Sequence, residues 1–174
     1  MVDFSGILKD VINSHKDANK WESAEFEAIK RISNSKVGDV GQDFIERLCL
    51  EFNFKCEFPQ NDRGSRARQS PWDIKVNDIE FELKTATEDT SGSFQFNHVR
   101  YHRKYMALIC LGISPNGIFF GIWSKADVTT GKAGNLVSME KNANASYKLT
   151  KKPSALKPIQ DFATTMQKFI DGFK

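Results

Sequence analysis

Asp73, Glu82 and Lys84 are the residues of this chain whose types and spacing point to chemistry. They sit in Ser70-Pro-Trp-Asp-Ile-Lys-Val-Asn-Asp-Ile-Glu-Phe-Glu-Leu-Lys-Thr-Ala86, where apolar and charged residues alternate on both sides of Asn77-Asp78. Asn-Asp suits a two-residue hairpin loop, and a period of two marks half-buried strands. With residues 77 and 78 as the loop, Val76 faces Ile79, and Asp73 faces Glu82 on one side of the ladder. Directly opposed side chains place their Cβ atoms about 4.5–5.5 Å apart, where like charges repel. A divalent cation reverses the sign of that interaction, because hard cations such as Mg²⁺ take one or two carboxylates plus substrate phosphates. Lys84, one pleat beyond Glu82, adds an ammonium to the pair. The competing structural reading puts both acids on the wet face of a surface hairpin, each paired with a lysine.

Pro71-Trp72-Asp73, then Glu82-Leu83-Lys84 on the next strand, resembles the signature of the PD-(D/E)xK nuclease superfamily, the fold of most type II restriction endonucleases. Here a Trp stands between the Pro and the Asp. The motif spans residues 71–84. A helix, the hairpin, a hydrophobic strand and further α/β elements follow the family's order, which extends the resemblance over residues 37–123. It implies an α/β fold with a restriction-endonuclease-like core: a central mixed β-sheet with an antiparallel catalytic hairpin, flanked by helices. It also implies Mg²⁺-dependent hydrolysis of DNA phosphodiester bonds, with one or two ions for which Mn²⁺ could substitute. Asp73 and Glu82 would be metal ligands, Glu46 on the preceding helix would complete the site, and Lys84 would position the attacking water. A sequence-specific type II restriction enzyme, working as a cytoplasmic homodimer on double-stranded DNA, is the expectation. A structure-specific or repair nuclease of the same fold, and a DNA-binding module that does not cut, are the alternatives.

The elements around the motif fit a single domain: a helical extension over 1–36, a catalytic core over 37–123, and a loop with a closing helix over 124–174. At 174 residues, 40% hydrophobic and 27% charged, the chain is long enough for a substantial core and has the composition of a soluble globular protein. No apolar run approaches a membrane span, and the N-terminus lacks the layout of a signal peptide. Cys49, Cys56 and Cys110 lie in apolar segments without metal-ligand spacing and read as reduced core thiols. The net charge of +3 conceals a division: residues 1–90 carry 13 basic against 18 acidic side chains, and residues 91–174 carry 12 against 4. A polyanion is drawn to the second half while cations collect in the first.

Amphipathic periodicity predicts helices over 3–13, from Trp21 or Glu22 to Ile32, from Asp39 to Phe52, and over 159–173, with a turn at 34–38. The two N-terminal helices read as core elements, with a dimer interface as the alternative. Phe54–Phe58 reads as a short strand. The loop after it brings Arg63, Arg66 and Arg68 up to the hairpin, where planar guanidinium groups suit phosphates and guanine edges. Between Phe94 and Tyr105, aromatics interleave with Gln95, Asn97, His98, Arg100, His102, Arg103 and Lys104, a pattern read as a DNA-facing segment or short helix beside the cleft. Met106–Ile113 is a continuous apolar run, the mark of a strand buried on both faces, and Ile118–Trp123 returns as its antiparallel neighbour. Residues 125–158, rich in Lys and Asn and weak in periodicity, read as a functional loop for sequence recognition.

Overall fold

A computed structural model describes residues 3–15, 19–67, 69–140 and 146–173. Two positive-φ residues, Asn77 at 44° and Asp78 at 70°, make the expected tight reversal between β2 (Ile74–Val76) and β3 (Ile79–Thr87). The register is the projected one, with Ile74 opposite Phe81, Lys75 opposite Glu80 and Val76 opposite Ile79. The Asn77 side chain accepts from the Lys55 amide at 2.8 Å, which ties the turn to the chain ahead of β1 (Cys56–Glu57).

β3 then runs parallel to β5 (Ala107–Ser114), and β5 runs antiparallel to β6 (Gly117–Ser124). Every residue of β5 is buried, as its unbroken apolar sequence requires. With the two-residue strand β9 (Lys157–Pro158) at the far edge, the main sheet has six strands in the order β1-β2-β3-β5-β6-β9. It is a mixed sheet in an α/β fold, in which the β2–β3 hairpin and the β5–β6 pair are antiparallel and β3 and β5 are parallel.

The two faces of this sheet are covered differently. On one, Ile45 and Cys49 of α2 (Asn34–Glu51) and Phe162 and Met166 of α4 (Phe162–Gly172) pack against Ile74, Phe81, Leu83, Ile109 and Phe120. On the other, a separate three-stranded sheet, β4 (Phe94–Val99), β8 (Tyr147–Lys151) and β7 (Leu136–Ser138), contributes Phe94, Phe96, Leu149 and Leu136 against Ala86, Leu108 and Cys110. The short helix α3 (Lys125–Thr129) adds Val128 to that layer. Helices thus flank one face, while a small sheet largely fills the other.

Three expectations are corrected. The helix expected from Trp21 to Ile32 is a series of turns ending in a 3₁₀ segment, Glu27–Arg31. Its backbone bonds outward instead: Phe26 N–H donates to the Pro115 carbonyl at 3.0 Å, and Glu25 N–H to Asn116 Oδ1 at 2.9 Å. Anchoring to the β5–β6 turn outcompetes helical propensity. The break expected at 34–38 is the first turn of α2. Residues 125–158 are not a loop but supply α3, β7 and β8, with Leu149 fully buried between half-buried Tyr147 and Lys151 as in any amphipathic strand. Lys141, Asn142 and Asn144, part of the recognition expected there, lie outside the described residues.

Candidate active site

Alternation along β3 decides which side chains meet. Phe81 and Leu83 point to the α2–α4 face, so Glu82 and Lys84 point to the other face, beside Leu108 and Cys110 of β5. Glu82 is 1% exposed, unusually deep for an acid. The Lys84 ammonium lies 2.5 Å from its Oε1 as an ion pair, while Oε2 has no hydrogen-bond partner among the described residues. Burial pushes the Glu82 carboxyl above its ordinary value of 4.5, Lys84 pulls it back down, and the nearby Asp73 charge pushes it up again. The Arg103 guanidinium adds a smaller downward pull.

Asp73 sits just beyond the regular ladder. Its amide donates to the Phe81 carbonyl at 2.8 Å, although Ile74 is the residue paired with Phe81. Two residues facing one is the pattern of a bulge, a device that re-aims a side chain. Asp73 is therefore not the direct ladder partner of Glu82. Its Oδ2 instead accepts the Leu83 amide at 2.8 Å, which fixes the carboxylate next to Glu82 and holds the end of the hairpin together. Asp73, Glu82 and Lys84 do come together.

Glu46 does not join them. It is on α2, the helix whose Ile45 packs on the Phe81 and Leu83 side, so the sheet separates it from the Glu82 face. Its carboxylate pairs with Arg66 Nη2 at 3.3 Å. Among the described residues no group of three or more His, Cys, Asp and Glu side chains is placed to hold a metal. Two carboxylates still suffice for a Mg²⁺ that shares its shell with phosphate and water. The buried Oε2 of Glu82, without a hydrogen-bond partner among the described residues and close to the Asp73 carboxylate, is the observation that fits such an ion.

The expected DNA-contacting residues divide. Arg66 is held against the protein: it bonds Gln42 at 3.2 Å, Asp43 at 3.2 Å and Glu46, and its guanidinium carbon lies 3.6 Å from the Phe58 ring centroid. These partners take three of its five N–H donors and hold the guanidinium against α2 and Phe58 rather than in the loop's open solvent. Arg63 is exposed in the tight turn closed by Asn61, and Arg68 lies outside the described residues. The 94–105 segment forms no helix: residues 94–99 are the strand β4 and residues 100–105 are turns. Its Phe94, Phe96 and Val99 are fully buried, so these side chains serve the core and not base stacking. Gln95 donates to Asp89 at 2.8 Å, Asn97 is exposed, and His98 adopts a positive φ of 58° with its ring 3.1 Å from Ser146 Oγ. Lys104 is exposed.

Arg100 and Arg103 stand closer to the chemistry. With Gln69, Ser70 and Pro71 they line an open depression of about 680 Å³ at the entrance to the hairpin. Arg103 Nη1 donates to the Ser70 carbonyl at 3.2 Å, which orients it there. Two further residues escaped sequence reasoning. The Tyr105 hydroxyl is buried without a hydrogen-bond partner among the described residues, and burial together with the Glu82 charge raises its pKa. Lys125 lies 4.9 Å from the Tyr105 ring centroid and donates to the Arg103 carbonyl. Only the position of Tyr105 at the end of the aromatic–basic stretch hinted at it, and Lys125 stood out only as one of the lysines of the 125–158 stretch, not as a neighbour of the hairpin.

Among the described residues, no helix is long and apolar enough to cross a membrane. No protein-family model and no curated protein matches the chain. Among solved structures, the chain is similar to the bacterial homing endonuclease I-Ssp6803I at 12% sequence identity and a TM-score of 0.47, over 80% of this chain and 95% of that one.

Proposed function

We propose that this chain is a Mg²⁺-dependent DNA endonuclease that cuts at defined sequences, in the manner of a restriction enzyme. The observation that carries the reading is Glu82: a buried carboxylate with Oε1 against the Lys84 ammonium, Oε2 without a hydrogen-bond partner among the described residues, and the Asp73 carboxylate nearby. Isolated buried charge is costly, and such groups are retained where they are paired or coordinate metals. Asp73 and Glu82 would hold the ion, which supplies an acidified water and neutralises charge developing on the phosphate. Lys84, oriented by Glu82, would hold the attacking water or a phosphate oxygen by donating to it. Arg100 and Arg103 would hold the DNA backbone at the depression beside Ser70, since arginine binds phosphate through a planar pair of donors.

The test is incubation of the protein with plasmid DNA and Mg²⁺, repeated with EDTA and with the Asp73→Ala variant. Discrete fragments that disappear in both controls are expected. A smear would remove the sequence specificity but leave the nuclease. Binding without cleavage under every condition would replace the enzyme with a DNA-binding module.

A further inference from the structure

Two of the three free cysteines share one end of the core. Cys49 is fully buried near the end of α2, in the cluster that also holds Ile74, Val76 and Phe81. Cys56 opens β1, where it stands opposite Val76 in the antiparallel ladder. Directly opposed residues share a face of the sheet, so Cys56 points to the side that α2 covers. The chain between them doubles back tightly. The Phe54 amide donates to the Cys49 carbonyl at 2.7 Å, the Asn77 amide donates to the Lys55 carbonyl at 3.0 Å, and the Lys55 amide donates to Asn77 Oδ1 at 2.8 Å. The two thiols meet there, and their contact outweighs every other influence on the acidity of either. Cys110 stands apart: it is also fully buried, but in the layer on the opposite face of the main sheet.

Cys56 is the reachable member of the pair. It is half-buried on the edge strand, and with Glu57, Phe58, Gln60, Trp72 and Lys75 it lines an open depression of about 580 Å³. Contact with Cys49 holds its thiol below the ordinary value of 9.0, against burial and the charges of Glu46 and Glu57, and the Arg66 guanidinium adds a smaller downward pull. The same contact, with burial, pushes the Cys49 thiol up. The pair is polarised: the accessible thiol ionises more readily and the buried one keeps its proton. The thiolate is the nucleophilic form.

We propose that Cys49 and Cys56 form a reversible oxidation site that closes to an intrachain disulfide when the protein meets a small peroxide. The Cys56 thiolate attacks one peroxide oxygen. The O–O bond breaks, leaving a sulfenic acid on Cys56 and a hydroxide that takes up a proton and departs as water. The Cys49 sulfur then attacks the Cys56 sulfur. The S–S bond forms, the S–O bond breaks, and the Cys49 proton leaves with the hydroxide as a second water. Two thiols are oxidised and one peroxide is reduced to two waters. A sulfenic acid with a thiol already against it condenses to the disulfide instead of climbing to the irreversible sulfinic acid. A small thiol reverses the bridge by exchange. Zinc is the other ligand that thiols attract, but a zinc site needs three or four protein ligands, and no such group gathers among the described residues. The bridge pins the edge strand β1 to α2. Asp73, Glu82 and Lys84 take no part in it, so the inference is independent of the nuclease reading.

The test treats the folded full chain with a modest excess of hydrogen peroxide, blocks the remaining thiols with iodoacetamide in denaturant, and digests with trypsin. Cleavage after Arg47, Lys55 and Arg63 puts Cys49 on peptide 48–55 and Cys56 on peptide 56–63, while Cys110 lies on 105–125. A linked pair of 48–55 with 56–63 is expected, with the thiol count falling from three to one per chain and all three thiols returning in dithiothreitol. In Cys49→Ala the reaction should stop at a Cys56 sulfenic acid that dimedone labels. Should that buried replacement fold poorly by circular dichroism, Cys56→Ser serves instead, and it should keep Cys49 and Cys110 as free thiols through the same treatment. Three thiols surviving the peroxide overturn the proposal, as does a link through Cys110 or between two chains. So does Cys56 oxidised in the parent chain while Cys49 stays free, and so does Cys49 oxidised as fast in Cys56→Ser as in the parent.

Discussion

Replacing Glu82 by Gln decides whether its carboxylate is a structural partner of Lys84 or a site held ready for a cation. Gln keeps the shape and removes the charge. In the protein without metal, Glu82 is buried with only the Lys84 ammonium against Oε1 and no hydrogen-bond partner for Oε2, and burial raises the carboxyl pKa above 4.5. The sign follows from linkage. Because the folded pKa is raised, this group's contribution to stability is fully present below its unfolded value and is lost as pH rises through the folded value. At pH 8 in EDTA, wild type bears the cost of the buried ionised group, less the attraction of Lys84 and Arg103, and Glu82→Gln does not. Leaving a buried polar group unsatisfied costs about 1–3 kcal/mol, more when charged. Glu82→Gln is therefore expected to be about 1–3 kcal/mol more stable than wild type, roughly 2–10 °C in Tm for a chain of this size. Loss of the attraction to Lys84 and Arg103 sets the lower end of that range. The advantage should vanish at pH 4. Added Mg²⁺ should reverse the order at pH 8, stabilising wild type by about 2.7 kcal/mol at 100 times its Kd and leaving the variant unmoved. Thermal melts at the two pH values, with EDTA and with Mg²⁺, measure all of this. A Glu82→Gln protein less stable than wild type in EDTA at pH 8 would refute the reasoning, because the carboxylate would then be a net stabilising partner of Lys84.

Two further outcomes test the surroundings of the site. Arg66→Ala should lower stability by about 1–2 kcal/mol through loss of its stacking on Phe58 and its half-exposed ion pairs. Its DNA affinity should match wild type in a gel-shift titration; a marked loss would return Arg66 to the DNA-contacting set. Gly41→Ala should destabilise by about 1–3 kcal/mol, because a Cβ there would fall 1.8 Å from Thr85 Oγ1 where α2 crosses β3. Urea unfolding reads this, and an unchanged midpoint would mean that the helix can lift from the strand at no cost.

The hairpin was legible because it is local. Asn77-Asp78 and an alternation of period two suffice to set a two-residue turn and its register, and both hold. The apolar run of β5 likewise announced a strand buried on both faces. What failed depended on partners far away in sequence. Trp21–Ile32 has helical periodicity, but its amides are claimed by Pro115 and Asn116. The stretch around Lys148 looked like a loop because an amphipathic strand of a small sheet alternates only two or three inward residues with lysines. Phe94 and Phe96 looked available to bases, and only their partner strand reveals them as core. At the site, residue types identified Asp73, Glu82 and Lys84. The bulge at Asp73 and the sheet between Glu46 and Glu82 are tertiary facts that spacing does not encode.

The parallel seam between β3 and β5 sets the order in which the site can assemble. The β2–β3 hairpin needs only a two-residue reversal, and hairpins of this kind close in roughly 1–10 μs. Joining β3 to β5 must instead bridge the chain from Glu88 to Met106, meeting the loop-closure entropy before any contact rewards it. Asp73 and Glu82 therefore meet while Glu82 is still wet, and stripping water from its carboxylate falls to the later docking step. Acid eases that step by discharging Glu82, so the seam should close fastest at low pH.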